Sequence, residues 1–227
     1  MTNSSMLEKA VWPVKTTPSP EAGQADDNDQ STPRKGDYHH GNLPAALIEQ
    51  ALAQIDKAGP ERVGLRGVAR AAGVSESAPY AHFKDRDALM TAVAAQGFCD
   101  FRCRMARAVE DVPQALRLSA LAHAYLRFGL EHPGLYLLLF STPYLREAGP
   151  KTTLHAAARA AFDLLLTVFD TAQDEMDRRR LGMRLWTSLH GMVCVELALT
   201  LPGTPRISAA ELVDDLVAEL ERQAAKV

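Results

Sequence analysis

Between Gly73 and Leu89 the chain reads GVSESAPYAHFKDRDAL, and the side chains of this stretch fall into two chemical sets. Ser75, Glu76, Ser77 and Ala78 are short: two hydroxyls that donate and accept, a carboxylate that accepts, and a methyl. Groups of this size can approach base edges in a DNA groove and read donors, acceptors and the thymine methyl. Tyr80, His82, Lys84 and Arg86 follow, with Arg66 upstream. These are longer donors suited to phosphate oxygens, whose contacts fix register without carrying sequence. Glu76 repels phosphate, so it either accepts a hydrogen bond from cytosine N4 or faces away from the duplex.

Other chemistries find less support. Among seven histidines, His39 and His40 are adjacent, and no H-E-x-x-H or comparable ligand spacing occurs, so no metal site is expected. A nucleophile elbow, a phosphate loop and a dinucleotide fingerprint are missing too, so neither catalysis nor a cofactor is expected. Cys99, Cys103 and Cys194 form no C-x-x-C pair and read as small packing residues, although Cys99 and Cys103 share a helix face. A second set consists of Tyr125, Phe128, Tyr136, Phe140, Phe162, Met183, Trp186 and His190. Large or polarisable side chains with one polar tip suit an apolar cavity for a small molecule; packing in an ordinary core is the alternative for each. Trp186 and His190 stand one helical turn apart, with Gly191 beside them permitting a close helix crossing. His190 can hydrogen-bond a ligand or a neighbouring carbonyl.

The elements that must position these residues are helical. Apolar residues make up 47% of the 227, rich in Ala and Leu and poor in strand formers. No apolar run reaches the roughly 18 residues of a membrane span. The start, MTNSSMLEKAVWPVK, lacks the pattern of a secretory signal, so cytoplasm is the expected compartment. Residues 1–36 are Pro-rich and polar and are expected to be a disordered tail. Asn42 caps a helix that Gly59 and Pro60 stop. A short helix, LRGVARAAG, turns Arg66 and Arg70 outward and ends at Gly73. Ser75 caps a third over 76–83, and Asp85 and Asp87 open a fourth over 86–109, where acidic groups favour the positive end of the macrodipole. Beyond Pro113, periodicity predicts helices over 114–133, 134–140, 150–173 and 175–199, and a last one opened by the capping box Ser208 to Glu211. The expected fold is all-α, with about nine helices. Charge is uneven: residues 1–33 hold 2 basic and 5 acidic side chains, 34–108 hold 11 and 8, and 109–227 hold 12 and 15. Only the middle segment is basic, and it holds the opening stretch, which points to a polyanion partner there.

A short helix, a Gly73-Val74-Ser75 turn and a second short helix make a helix-turn-helix, whose second helix enters the major groove. VARAAGVSESAPYAHFKDRDAL resembles the DNA-binding signature of TetR-type bacterial transcriptional repressors, over about residues 38–108 in helix order and spacing. The resemblance implies backbone contacts from Arg66, Tyr80, His82, Lys84 and Arg86, and base contacts from Glu76, Ser77 and Ala78. The YHHG segment before the first helix, and LWTSLHG through Trp186 and Gly191, resemble a subgroup with a Trp-His-Gly signature in its C-terminal domain. Pro79 departs from the pattern, since its missing N–H kinks a recognition helix that starts early.

The resemblance further implies a DNA-binding domain over 37–108 and a ligand-binding and dimerisation domain over 109–227. The last two helices, whose apolar stripes suit such a seam, then pair with their twins in a four-helix bundle. The expected protein is a homodimeric repressor that binds a palindromic double-stranded DNA operator, is released by a small apolar molecule, and has no membrane partner. A helical scaffold or adaptor without specific DNA binding is the alternative.

Overall fold

The computed structural model describes residues 42–141, 143–170, 174–198 and 208–225. The expected tail and the Tyr38-His39-His40-Gly41 segment lie outside them. Helix α1, Leu43–Ala58, starts at Asn42, whose Oδ1 accepts the Ala45 N–H, and stops at Gly59. A 3₁₀ turn, Pro60–Arg62, leads to α2, Leu65–Ala71. Gly73 then takes φ +71°, a left-handed conformation that glycine adopts without a Cβ clash, and the chain reverses. Helix α3, Arg86–Val109, is capped by Asp85, whose Oδ1 accepts the Ala88 N–H at 2.8 Å. There follow α4 (Gln114–Glu131), α5 (Pro133–Ser141), α6 (Pro143–Glu147), α7 (Thr153–Leu166), α8 (Glu175–Ala198) and α9 (Ala209–Ala224). The box at the start of α9 forms as expected: Ser208 Oγ accepts the Glu211 N–H and the Glu211 carboxylate accepts the Ser208 N–H. No strand occurs among the described residues, and the fold is all-α.

Three stretches differ from expectation. Residues 75–83 are not an α-helix; they form turns around one 3₁₀ turn, Ala78–Ala81. Pro79 has no N–H to return to Ser75 O, and the bonds that form instead span three residues: Ala78 N–H to Ser75 O, Tyr80 N–H to Ser77 O, His82 N–H to Pro79 O. Ser75 therefore caps no helix here; its hydroxyl lies 3.2 Å from that of Ser77. Helix α6 falls between the helices expected over 134–140 and 150–173. The helix expected over 150–173 ends at Leu166 and tightens into a 3₁₀ turn, Thr167–Phe169.

Helix α3 organises the packing. It packs against α1, α4, α5, α6 and α7. Leu89, Met90, Val93, Phe98, Phe101 and Met105 line its inner face, within one continuous apolar core that runs from Leu47 on α1 to Leu220 on α9. At the crossing of α1 and α5 the backbones nearly touch, because a Cβ on Gly134 would stand 2.8 Å from Ile55 O. A backbone oxygen cannot swing aside, so Gly134→Ala is expected to lower stability by about 1–3 kcal/mol. Chemical denaturation checks this; an unchanged midpoint would mean that α5 shifts freely over α1.

Candidate nucleic-acid interface and ligand cavity

Pro79 and Phe83 are buried and pin the 75–83 segment to the core; burying a side chain of the size of Phe83 stabilises by about 2 kcal/mol. With those two facing inward, Ser75, Glu76, Ser77, Tyr80 and His82 stand exposed, Tyr80 by 52%, and Ala78 is half-buried. Beside them, Arg66 on α2 and Lys84 leave 75% and 83% of their side chains open to solvent. Arg66, Tyr80 and Lys84 line one shallow concave surface together with Arg62 and Arg70. Arg62 was absent from the expected set because the 3₁₀ turn that presents it has no apolar period to reveal it. Arg70 was legible as an outward residue of α2, one turn beyond Arg66. Glu76 Oε2 lies 3.7 Å from Arg66 Nε. So exposed a pair adds little stability, but it obliges Arg66 to share its charge between Glu76 and any phosphate.

Arg86 lines the same concave surface, but its guanidinium also bonds to the protein itself. Its Nε donates to Val63 O at 2.8 Å, one terminal nitrogen donates to Pro60 O at 2.6 Å, and the other to Tyr144 Oη at 3.3 Å on α6. Tyr144 Oη donates in turn to Asp87 Oδ1 at 2.8 Å. The guanidinium fork bonds the carbonyls at the two ends of the 3₁₀ turn after α1, while 40% of the side chain stays open to solvent.

A cavity of about 230 Å³ lies among α3, α5, α6, α7 and α8. Of the residues expected at a pocket, Phe140, Phe162, Met183 and Trp186 line it. Tyr125, Phe128, Tyr136 and His190 do not, because a polar chain and an aromatic stack claim them. Tyr125 Oη is 3.0 Å from Tyr136 Oη, which is 2.7 Å from His190 Nδ1, and His190 Nε2 is 3.5 Å from Cys194 Sγ. Phe128 packs against Phe101, centroids 4.8 Å apart, with Arg104 over its ring. Burial pushes both tyrosines well above the usual phenol range and holds His190 below the usual imidazole value, so this chain of groups carries no charge near neutral pH. The remaining wall is Phe98, Phe101, Leu145, Ala158, Ala161 and Leu165. Ala158, Ala161, Phe162 and Leu165 form a stripe at helical spacing on α7, a signal in the sequence that attention to large side chains passes over.

Two family descriptions match the chain: "Bacterial regulatory proteins, tetR family" over residues 47–93, and "Tetracyclin repressor-like, C-terminal domain" over residues 118–220. The chain belongs to the TetR family. Among solved structures it is similar to a protein of unknown function from Rhodococcus sp. RHA1, with 32% identity, a TM-score of 0.68, and coverage of 82% of this chain and 97% of that one. It also resembles a TetR family transcription regulator from Marinobacter aquaeolei VT8, at 17% identity and a TM-score of 0.55, covering 78% and 94%. The transcriptional regulator FadR from Bacillus subtilis, solved in complex with stearoyl-CoA, aligns at 13% identity and a TM-score of 0.58 over 78% and 96%. No curated protein sequence matches.

In this TetR-family chain the first match holds the exposed segment and Arg62, Arg66, Arg70 and Lys84, while the second holds most of the cavity wall. Phe98 and Phe101 fall between the two, on α3, the helix that runs from one matched stretch towards the other. Of the Trp-His-Gly set, Trp186 faces the cavity and His190 the polar chain. A Cβ on Gly191 would meet nothing within 4 Å, so its contribution is an open flank of α8. Among the described residues no helix is long and apolar enough to cross a membrane, and no cluster of ligating side chains could hold a metal ion.

Proposed function

We propose that this TetR-family transcription regulator is a repressor that binds a palindromic operator as a homodimer and is released by a small apolar molecule. The observation that carries this is the coexistence, in one core, of an exposed cationic surface around a short-side-chain segment and an apolar cavity behind it. Arg62, Arg66, Arg70, Tyr80 and Lys84 grip phosphates, and Glu76, Ser77 and Ala78 face the base edges, with Ser75 and His82 beside them. Arg86 takes no phosphate in this arrangement; it holds the reading segment's platform in place.

The dimer reading is supported by an unpartnered face of α8. Val195 is exposed on it, one turn beyond Gly191, whose flank is open, and Leu212 is exposed on the adjacent α9. A second copy covers such a face, and its two-fold axis sets the spacing of two half-sites. Release works by population: an effector that prefers a conformer with the wrong half-site spacing lowers operator affinity by its differential affinity for that state, with α3 as the lever.

The test is enrichment of genomic fragments by the purified protein, followed by titration of the enriched duplex across salt. An inverted repeat bound with an affinity that falls steeply between 50 and 200 mM salt supports the reading. Enrichment of no common sequence, with binding indifferent to salt, would favour a scaffold instead.

A further inference from the structure

If the cavity is the effector site, as the proposed function has it, the chemistry of its wall selects among effectors. Five aromatic rings line it, and no charged side chain does. Every buried side-chain nitrogen and oxygen among the described residues already has a hydrogen-bond partner. A site built around a ligand's polar handle holds a polar group in reserve for it, and such a group is costly to leave unpaired. The one side-chain nitrogen in the wall, the indole N–H of Trp186, is taken up by Tyr125, and behind the Phe140 ring Tyr136 and His190 satisfy each other at 2.7 Å. A carboxylate or phosphate that entered would lose its hydration and gain nothing in exchange. A cation would find rings but no acidic side chain in the wall. Those rings meet edge to face, Phe98 with Phe140 at 5.4 Å and 87°, and Phe162 with Trp186 at 6.0 Å and 78°, an arrangement that a further flat ring extends.

Size narrows the class. A dry engineered cavity of about 150 Å³ holds one benzene, and this one measures about 230 Å³. We propose that the effector is an uncharged aromatic molecule of about ten non-hydrogen atoms, held by dispersion and ring-edge contacts without a hydrogen bond. Met183 is both cavity wall and 46% exposed, so the cavity reaches solvent beside it.

Calorimetric titration of the full chain with naphthalene, 2-naphthoate and (2-naphthylmethyl)trimethylammonium tests the inference, since the three share one ring system and differ in charge. Naphthalene is expected to bind, and each ion to bind at least about tenfold more weakly. Ala158→Phe, which places a ring in the cavity, is expected to abolish naphthalene binding. Met183→Lys keeps its charged end in water, so it folds, and it is expected to raise the affinity for 2-naphthoate about tenfold. Equal or tighter binding of either ion by the wild type overturns the uncharged class and leaves the cavity as a ligand site. Binding of none of the three overturns the inference outright. Naphthalene binding that leaves the affinity for the enriched operator unchanged overturns the effector reading on which it rests.

Discussion

Replacing Arg66, Arg70 and Lys84 together by alanine is expected to lower the affinity for duplex DNA by about two to three orders of magnitude at 0.1 M salt, at roughly 1–1.5 kcal/mol per lost charge-assisted contact. Each of the three is exposed and lines the same concave surface as Tyr80. None donates a hydrogen bond to the protein's own backbone that folding would miss, so the midpoint of thermal unfolding should stay within the range of ordinary surface changes. The salt dependence is the sharper readout. Every cation that neutralises a phosphate steepens the fall of log affinity with log salt by nearly one, so the triple variant should flatten that slope by about three. Loss of phosphate contacts should be uniform across sequences. Glu76→Gln, which frees Arg66 from its ion pair at 3.7 Å, should do the opposite and raise affinity for unrelated duplexes. Anisotropy titrations of a labelled duplex at several salt concentrations decide it; a slope that does not move would show that these cations do not touch DNA.

The features that were legible in the sequence are those decided within a few residues. Asn42 and Asp85 cap because a short acceptor can reach the N–H three residues on, Gly73 turns because only glycine enters the left-handed region freely, and Ser208 with Glu211 close a box on themselves. The exposure of Tyr80 and Lys84 agrees with their long polar side chains, and the buried Pro79 and Phe83 are what turn them outward. What was not legible depends on partners far along the chain. Tyr125 and Tyr136 have the size and polarity of pocket residues, yet each other's hydroxyl and His190 draw them off into a separate chain of hydrogen bonds. Ala158 and Ala161 carry no chemistry of their own and become wall only because Phe98 and Phe101 arrive opposite from α3. The fate of Arg86 turned on two backbone carbonyls whose directions are set by the turn after α1, and nothing in the residue names around it announces them.

Arg86→Ala is expected to cost about 2–4 kcal/mol of folding stability and to weaken DNA binding without changing its salt slope, in contrast to the triple variant above. The substitution takes a charged donor from Val63 O and from Pro60 O, which keeps only the Val63 N–H, and removes a partner of Tyr144. Arg86→Lys should rescue little, because a single ammonium cannot span two carbonyls and a hydroxyl as the planar fork does. The 3₁₀ turn and the start of α3 are held to α6 by this group, and α1 is held to the junction of α4 and α5 by His132 Nδ1 at 3.1 Å from Asp56 Oδ2. Helix α6 has a second duty, for Leu145, next to Tyr144, is part of the cavity wall. Under the proposed function, a molecule that displaces Leu145 strains the hydroxyl bridge from Tyr144 to Asp87 and Arg86, and with it the seat of the exposed 75–84 segment. Tyr144→Phe should thus fold with a loss of about 1 kcal/mol, bind operator, and respond less to a cavity ligand than the wild type does. Thermal unfolding and operator titration with and without naphthalene separate the two roles of Arg86. A flattened salt slope at unchanged stability in Arg86→Ala would return this residue to the phosphate contacts, whereas lost stability with the slope intact fixes it as the joint between cavity and reader.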